Sequence, residues 1–145
     1  MRHSIAGVKL NRDSSHRKAL MRNQARQLLS LGTIETTITK GKLVISTVEK
    51  LLNKAKDGSL HVRRQLRADL VDATLVNKTC EMAKNLDDHS NGMVKMIRLG
   101  TRRGDNTMMV RLELTAKMPE KILEKDTKKS ANKEKTVKKT AKKTK

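Results

Sequence analysis

The stretch from Asp13 to His16 brings together the residue types of a hydrolase triad: an acid, two serines and a histidine. A serine nucleophile needs a base within hydrogen-bond reach, a third group that orients the base, and an oxyanion hole. Consecutive residues at the start of a helix point in different directions, and the sequence nearby contains neither a nucleophile elbow nor a glycine-rich oxyanion loop. Because helix capping accounts for the serines and the acid, we predict that the chain is not an enzyme.

The same segment is better suited to binding an anion. The N-terminus of a helix presents unpaired backbone N–H groups and the positive end of the helix dipole, and both favour phosphate. Ser15 can cap the helix or donate a hydrogen bond, His16 can donate, and the guanidinium of Arg17 can bind two phosphate oxygens. The residue types therefore predict a phosphate site at the start of this helix.

A stripe of cations continues along the predicted helix. Lys18, Arg22 and Arg26 recur every four residues, and this spacing places them on one side of a helix. Residues 2–26 contain seven basic side chains and one acid, so a polyanion would be attracted to this part of the chain. The alternative interpretation is a charged helix face that contacts only water.

The whole chain carries the same excess of positive charge. Its formal net charge is +19 over 145 residues and its pI is about 10.5, which favours nucleic acid as a partner. Because Phe, Tyr and Trp are absent, aromatic platforms that stack bases are nearly excluded, which leaves recognition of phosphate, sugar and shape. The apolar runs are far shorter than the ~20 residues that cross a bilayer, so we expect no membrane partner.

Cysteine and histidine give no sign of a metal centre. Cys80 is the single cysteine, and the four histidines are scattered along the chain. An intrachain disulfide and a cysteine-based zinc site are therefore excluded, and no histidine pair has the spacing of zinc ligands. We predict no metal, no cofactor and no small-molecule substrate.

Hydrophobic periodicity predicts the helix that would position the cations. Four apolar side chains share one of its faces, Ser14 or Ser15 is the expected N-cap, and Gly32 is expected just beyond its end. The four apolar residues are Leu20, Met21, Leu28 and Leu31.

Similar patterns predict the other elements. They are a strand over 33–39, a helix from about residue 40 to Gly58, helices over 60–70 and 73–86, and strands over 93–99 and 108–114. The inward-facing residues of the second helix are predicted as Val44, Val48, Leu51, Leu52 and Ala55. This order predicts an α+β fold in which a small three-stranded mixed sheet is covered by helices on one face.

The composition of the chain changes near Ala116. Residues 117–145 contain 12 lysines, no arginine and 4 acids, with few large aliphatic side chains. Such a segment cannot bury enough apolar surface to offset the entropy lost on ordering, so we predict a disordered basic tail. Residues 1–116 are predicted to form one α+β domain, with a flexible basic arm at 1–13.

Eight short motifs, in order from residue 2 to about residue 115, resemble the bacterial large-subunit ribosomal protein seventeen family. They are MRH, GxKLxR, SSHRKALxRN, IETT, KAKDG, LHVRRQ, LGTRRGDN and LEL. The resemblance implies a compact α+β domain that binds large-subunit rRNA near the exit of the polypeptide tunnel, with neighbouring ribosomal proteins and without catalysis. It also implies a cytoplasmic location in the ribosome and, because it begins at residue 2, the absence of a transit peptide.

Two further pairs of arginines are candidate rRNA contacts. Arg102 and Arg103 occupy the predicted hairpin tip, where an adhesion tripeptide is the less favoured interpretation, and Arg63 and Arg64 lie on a predicted helix. The complete predicted rRNA-binding set is Arg2, His3, Lys9, Arg12, Ser14, Ser15, His16, Arg17, Lys18, Arg22, Asn23, Arg26, Arg63, Arg64, Arg102 and Arg103.

The leading alternative function is that of a histone-like protein that binds and compacts DNA. A lysine-rich tail would suit that role equally well, since it attracts any polyanion. Comigration with DNA rather than with large ribosomal subunits would distinguish the two functions.

Overall fold

A computed structural model describes residues 7–86 and 91–115, and these form four helices and three strands. The order of elements confirms the predicted α+β fold. The elements are α1 (Ser14–Leu31), β1 (Thr33–Thr37), α2 (Ile38–Ala55), α3 (Leu60–Leu70), α4 (Ala73–Lys84), β2 (Val94–Thr101) and β3 (Met108–Leu114). The predicted tail at 117–145 and the first six residues of the predicted arm lie outside the described residues.

The sheet has the order β1-β3-β2, and both of its pairings are antiparallel. The prediction of a mixed sheet is therefore wrong. β3 returns from β2 through a hairpin and also pairs with β1, so that Arg111 lies between Glu35 and Ile97 in the register. β1 and β2 run in the same direction, but β3 separates them, and no parallel pair forms among the described strands.

The helices pack on one face of the sheet, as predicted. Along β3, Val110 and Leu112 are fully buried, whereas Arg111 between them is exposed on the opposite face. This alternation is that of a strand with one face in the core. The five residues predicted to face inward from α2 are all buried, which confirms that helix as the centre of the helical layer.

The outer strand β2 is covered only at its start. Val94 is buried, but Met96, Ile97 and Leu99 are 36%, 44% and 44% exposed. Because β2 lies at the edge of the sheet formed by the described residues, these side chains are only partly covered, and one row of its backbone groups has no strand partner among those residues.

Three predicted details of the helices and strands need correction. β1 ends at Thr37 and not at residue 39, because α2 already begins at Ile38. Ile38 and the buried Gly41 are three residues apart, which is the spacing of neighbours on one face of a helix. Leu31 is 67% exposed, while Leu29 is fully buried in its place, since the face that meets α2 is centred on Ala25 and Leu28. The fourth helix ends at Lys84, two residues before its predicted end.

Gly41 allows α2 to approach the sheet closely. A Cβ atom placed on this residue would lie 2.9 Å from Cγ2 of Val110 and 3.5 Å from Cδ2 of Leu112. Both neighbours are fully buried side chains of β3, so neither can move aside without disturbing the core. The first turn of α2 therefore tolerates no side chain here.

We predict that Gly41→Ala destabilises the protein despite the better helix propensity of alanine. Overpacking costs about 1–3 kcal/mol, which exceeds the gain of about 1 kcal/mol from removing a helical glycine. Urea unfolding followed by far-ultraviolet circular dichroism measures the net effect, with Ser46→Ala on the exposed side of α2 as the control. A Gly41→Ala protein as stable as the parent would show that the contact with β3 is not tight.

Candidate nucleic-acid interface

The first helix begins after Asp13, which has extended backbone angles and occupies the N-cap position. The prediction that Ser14 or Ser15 is the N-cap is therefore wrong. The hydroxyl of Ser15 donates to Oδ2 of Asp13 at 2.6 Å, and this hydrogen bond, followed by those from the backbone of Ser14 and Ser15, lowers the pKa of the Asp13 carboxyl. The Asp13 carboxylate thus lies at the helix end where a phosphate site was predicted, and its negative charge makes that end less favourable for a second anion.

A shallow groove of about 610 Å³ runs along the exposed side of α1, and we call it the outer groove. Six of the residues that line it belong to the predicted rRNA-binding set, so the helix brings these six side chains together on one surface. The lining residues are Asp13, Ser14, Ser15, Lys18, Ala19, Arg22, Asn23 and Arg26.

Arg22 and Arg26 are also bound to the end of α3. Nε of Arg22 donates to Oδ1 of Asp69 at 3.0 Å, and Arg26 donates to the Asp69 carbonyl from Nε at 3.0 Å and from Nη2 at 2.8 Å. Arg26 is half-buried, whereas the Arg22 side chain remains 48% exposed. Arg26 therefore holds α1 against α3, while Arg22 and the exposed Lys18 can still meet an anion.

Arg17 points away from the outer groove and holds the N-terminal arm. Its Nη1 donates to the carbonyls of Lys9 at 3.4 Å and Arg12 at 3.2 Å. Arg12 in turn donates from Nη1 to the carbonyl of Leu10, and its Nε is buried without a hydrogen-bond partner among the described residues. His16 and Lys9 are exposed. Arg2 and His3, which were predicted as contacts, lie outside the described residues.

In each of the other two arginine pairs, one arginine is hydrogen-bonded within the protein and the other is exposed. Nε of Arg63 donates to the carbonyl of Gly58 at 3.2 Å, and Arg102 forms a two-point ion pair with the Asp105 carboxylate. Arg64 and Arg103 are exposed side chains. Direct phosphate contact is therefore better suited to Arg64 and Arg103 than to Arg63 and Arg102.

The hairpin tip and the N-terminal half of α1 lie towards the same end of the sheet. The backbone N–H of Leu114 donates to the carbonyl of Gly32 at 3.0 Å, and Nε2 of Gln24 donates to Oγ1 of Thr36 at 3.0 Å. From its C-terminal end, α1 thus runs back along β1 towards Thr37, which is paired with Met109. The loop with Arg103 follows that end of the sheet, so its charge adds to that of α1.

A second groove lies between α1 and α2, and we call it the inter-helix groove. Lys50 and Lys54 of α2 face it together with Arg17 and Lys18 of α1. Neither α2 lysine was among the residues that the sequence predicted for the basic surface. Their spacing of four residues was a detectable signal, but only the packing of α2 beside α1 shows that they join the same basic surface.

Other classes of site receive no support from the described ranges. Within residues 7–86 and 91–115, no cluster of three or more His, Cys, Asp or Glu side chains could hold a metal ion. In the same ranges no helix has the length and apolar character needed to span a bilayer. Cys80 is buried in the core.

Comparison with known proteins places this geometry in a family context. The sequence profile described as "Ribosomal protein L17" matches residues 20–115. The "Large ribosomal subunit protein bL17" of Thermus thermophilus is 45% identical over 116 residues, which cover 79% of this chain and 98% of the relative. Proteins of the same name from Rubrobacter xylanophilus and Thermotoga maritima are 41% and 40% identical. Each match also covers 79% of this chain, and the relatives are covered over 95% and 94% of their lengths.

We predict that Arg26→Gln and Lys18→Gln have different effects, although the two residues share the outer groove. The first change removes two charge-assisted hydrogen bonds to the Asp69 carbonyl and should lower the free energy of unfolding by about 1–3 kcal/mol. The second removes an exposed charge and should alter it by less than about 0.5 kcal/mol. Urea unfolding of both variants measures the difference, and equal effects would contradict a structural role for Arg26.

A second prediction concerns the hairpin loop. Hydrogen bonds from Arg102 and then from Thr107 lower the pKa of the Asp105 carboxyl well below its ordinary value of 3.8. Because the pKa of Asp105 is lower in the folded than in the unfolded protein, the contact with Arg102 contributes its full stabilisation above the unfolded-state pKa of 3.8. This stabilisation is lost as the pH falls through the lower folded-state pKa. Carboxyl-carbon NMR titration should show this low pKa in the parent and a higher one in Arg102→Gln. An unchanged pKa in that variant would contradict the ion pair.

Proposed function

Because this chain belongs to the ribosomal protein L17 family, we propose that it binds large-subunit rRNA through the outer groove of α1. The family is a structural, non-enzymatic component of the large ribosomal subunit, and membership confirms the prediction that the chain is not an enzyme.

The observation that carries the proposal is the gathering of Lys18, Arg22 and Asn23 in one groove on the exposed side of α1. Arg22 is fixed by Asp69, so one edge of its guanidinium is preorganised while the rest faces solvent. An arginine held in this way loses little rotamer entropy when it binds phosphate. Lys18 supplies a mobile point charge beside it, and the Asn23 amide can donate to a phosphate or ribose oxygen.

Two more anchors would fix the orientation of the protein on the RNA. Arg103 at the hairpin tip lies towards the same end of the sheet as the start of α1, and Arg64 on α3 adds a further exposed charge. Separate anchors on a rigid α+β core determine position and register, because phosphate contacts carry little sequence information by themselves. The fold thereby presents the charges at defined spacings.

The partners follow from the same proposal. They are large-subunit rRNA and neighbouring ribosomal proteins, and the place of action is the bacterial ribosome in the cytoplasm. A position near the exit of the polypeptide tunnel remains a prediction from the resemblance. We also propose that the lysine-rich segment at 117–145 adds electrostatic attraction to RNA.

We predict a steep salt dependence for binding of the full chain to large-subunit rRNA. If about 6–10 phosphates are neutralised, affinity should fall by a factor on the order of 10³–10⁵ between 50 and 200 mM salt. Lys18→Gln should lower the slope of log affinity against log salt by about 1. The matched control is Lys84→Gln on α4, which removes the same charge from a residue that lines neither groove. A flat salt dependence would refute the electrostatic mechanism.

Sedimentation of a cell lysate through a sucrose gradient separates this proposal from DNA compaction. The protein should run with large subunits and stay there after a moderate salt wash. Comigration with DNA and loss from the subunits would favour the histone-like alternative.

A further inference from the structure

The inter-helix groove has a composition unlike that of the outer groove. It encloses about 500 Å³ between α1, α2, the end of α3 and the arm at Gly7 and Val8. Its floor is apolar and is built from Met21, Ala25, Leu43, Leu51 and Leu70. An apolar concavity of roughly 300–1,000 Å³ with a few polar groups is the usual form of a site for a small organic group.

The rim of the inter-helix groove is strongly basic. Arg17, Lys18, Lys50 and Lys54 line it, and the one acid present, Asp69, is already bound to Arg22. An occupant must therefore combine an apolar, flat or compact body with a negative charge. A nucleotide has this combination, since its base is largely apolar on both faces and its phosphate is anionic.

We infer that the inter-helix groove receives one nucleotide extruded from the rRNA, with its base on the apolar floor and its phosphate at Lys50 and Lys54. This inference rests on the proposed function and names a second, different contact. Single-stranded or bulged nucleotides are the parts of RNA whose bases can leave the stack and enter such a site.

Side chains in the groove can replace the aromatic residues that the protein lacks. The guanidinium plane of Arg17 is held by the carbonyls of Lys9 and Arg12, and guanidinium planes stack on bases as aromatic rings do. Met21 in the floor of the groove offers a polarisable thioether to the base. The hydroxyl of Thr47 donates to the Leu43 carbonyl at 2.9 Å, so its oxygen remains able to accept a hydrogen bond from a ribose hydroxyl.

An acidic protein segment with apolar side chains is the competing occupant. Such a segment would come from a neighbouring protein, so it would be absent when the full chain is mixed with rRNA alone. Binding to protein-free rRNA therefore separates the two occupants.

Occlusion of the groove tests the inference without altering charge. Ser46 is an exposed residue of α2 that lines the groove, and Ser46→Leu would fill part of it with an aliphatic side chain. Loss of one base contact corresponds to about a tenfold drop in affinity, so Ser46→Leu should weaken binding of the full chain to protein-free large-subunit rRNA by about that factor. Circular dichroism and urea unfolding establish that the variant is folded.

Charge removal supplies the second arm of the binding test. Lys50→Gln with Lys54→Gln should reduce the salt slope by about 1, as expected for one phosphate, whereas Lys42→Gln on the same helix should change the affinity only by a small general charge effect. Lys42 is exposed but lines neither groove. Parent-like affinity in Ser46→Leu, with normal rRNA binding by the parent, overturns the inference while the proposed function stands.

Ultraviolet crosslinking locates the nucleotide directly. The complex is irradiated and digested with trypsin and nuclease, and the adducts are identified by mass spectrometry. The position of the adduct distinguishes the grooves. Met21 and several residues of peptide 43–50 line only the inter-helix groove, whereas Asn23 and Arg26 line only the outer groove. A single-nucleotide adduct on Met21 or on peptide 43–50 supports the inference. Adducts confined to Asn23 and Arg26 overturn it, and the absence of any rRNA binding by the parent overturns the proposed function as well.

Discussion

The contact of Arg22 and Arg26 with Asp69 holds α1 against the end of α3, and both candidate binding grooves are built around it. Arg26 binds the backbone carbonyl of Asp69 and Arg22 binds its carboxylate. Arg22 lines both grooves, Arg26 lines the outer one, and Asp69 lines the inter-helix one. If α1 were free to shift relative to α3, the cations of the first helix would lose their fixed spacing, and both surfaces would lose a wall.

Some cationic side chains of this protein are held in ion pairs, and others are exposed and available to bind an anion. Arg22, Arg102 and Arg111 each form an ion pair, with Asp69, Asp105 and Glu35 respectively. The side chains of all three pairs are about half exposed, so the pairs contribute little to stability, but each fixes the direction of a guanidinium. The lysines at positions 18, 50 and 54 are exposed and can follow an RNA backbone that does not match a rigid pattern. Fixed arginines beside mobile lysines suit a surface that must both orient and adapt.

Local patterns predicted the elements well, and non-local contacts account for the error in the sheet type and for the features of the site that the sequence did not reveal. The five inward residues of α2 follow from helical spacing alone, and so does the clustering of Lys18, Arg22 and Arg26. The antiparallel pairing of β1 with β3 depends on residues more than 70 positions apart, and no local signal encodes it. The same holds for Arg26, whose partner Asp69 lies 43 positions away. The inter-helix groove requires the packing of α1 beside α2, which periodicity does not supply.

The half-covered edge strand β2 links solubility to the same electrostatics as RNA binding. An uncovered edge with exposed Met96, Ile97 and Leu99 is a template for strand pairing between molecules. Lys95 and Arg98 lie on the same strand, and like charges on such an edge keep copies apart. Salt that screens the protein from RNA also screens these charges. Under the proposed function, the salt that releases the unassembled protein from RNA therefore also weakens the charge repulsion that protects this edge.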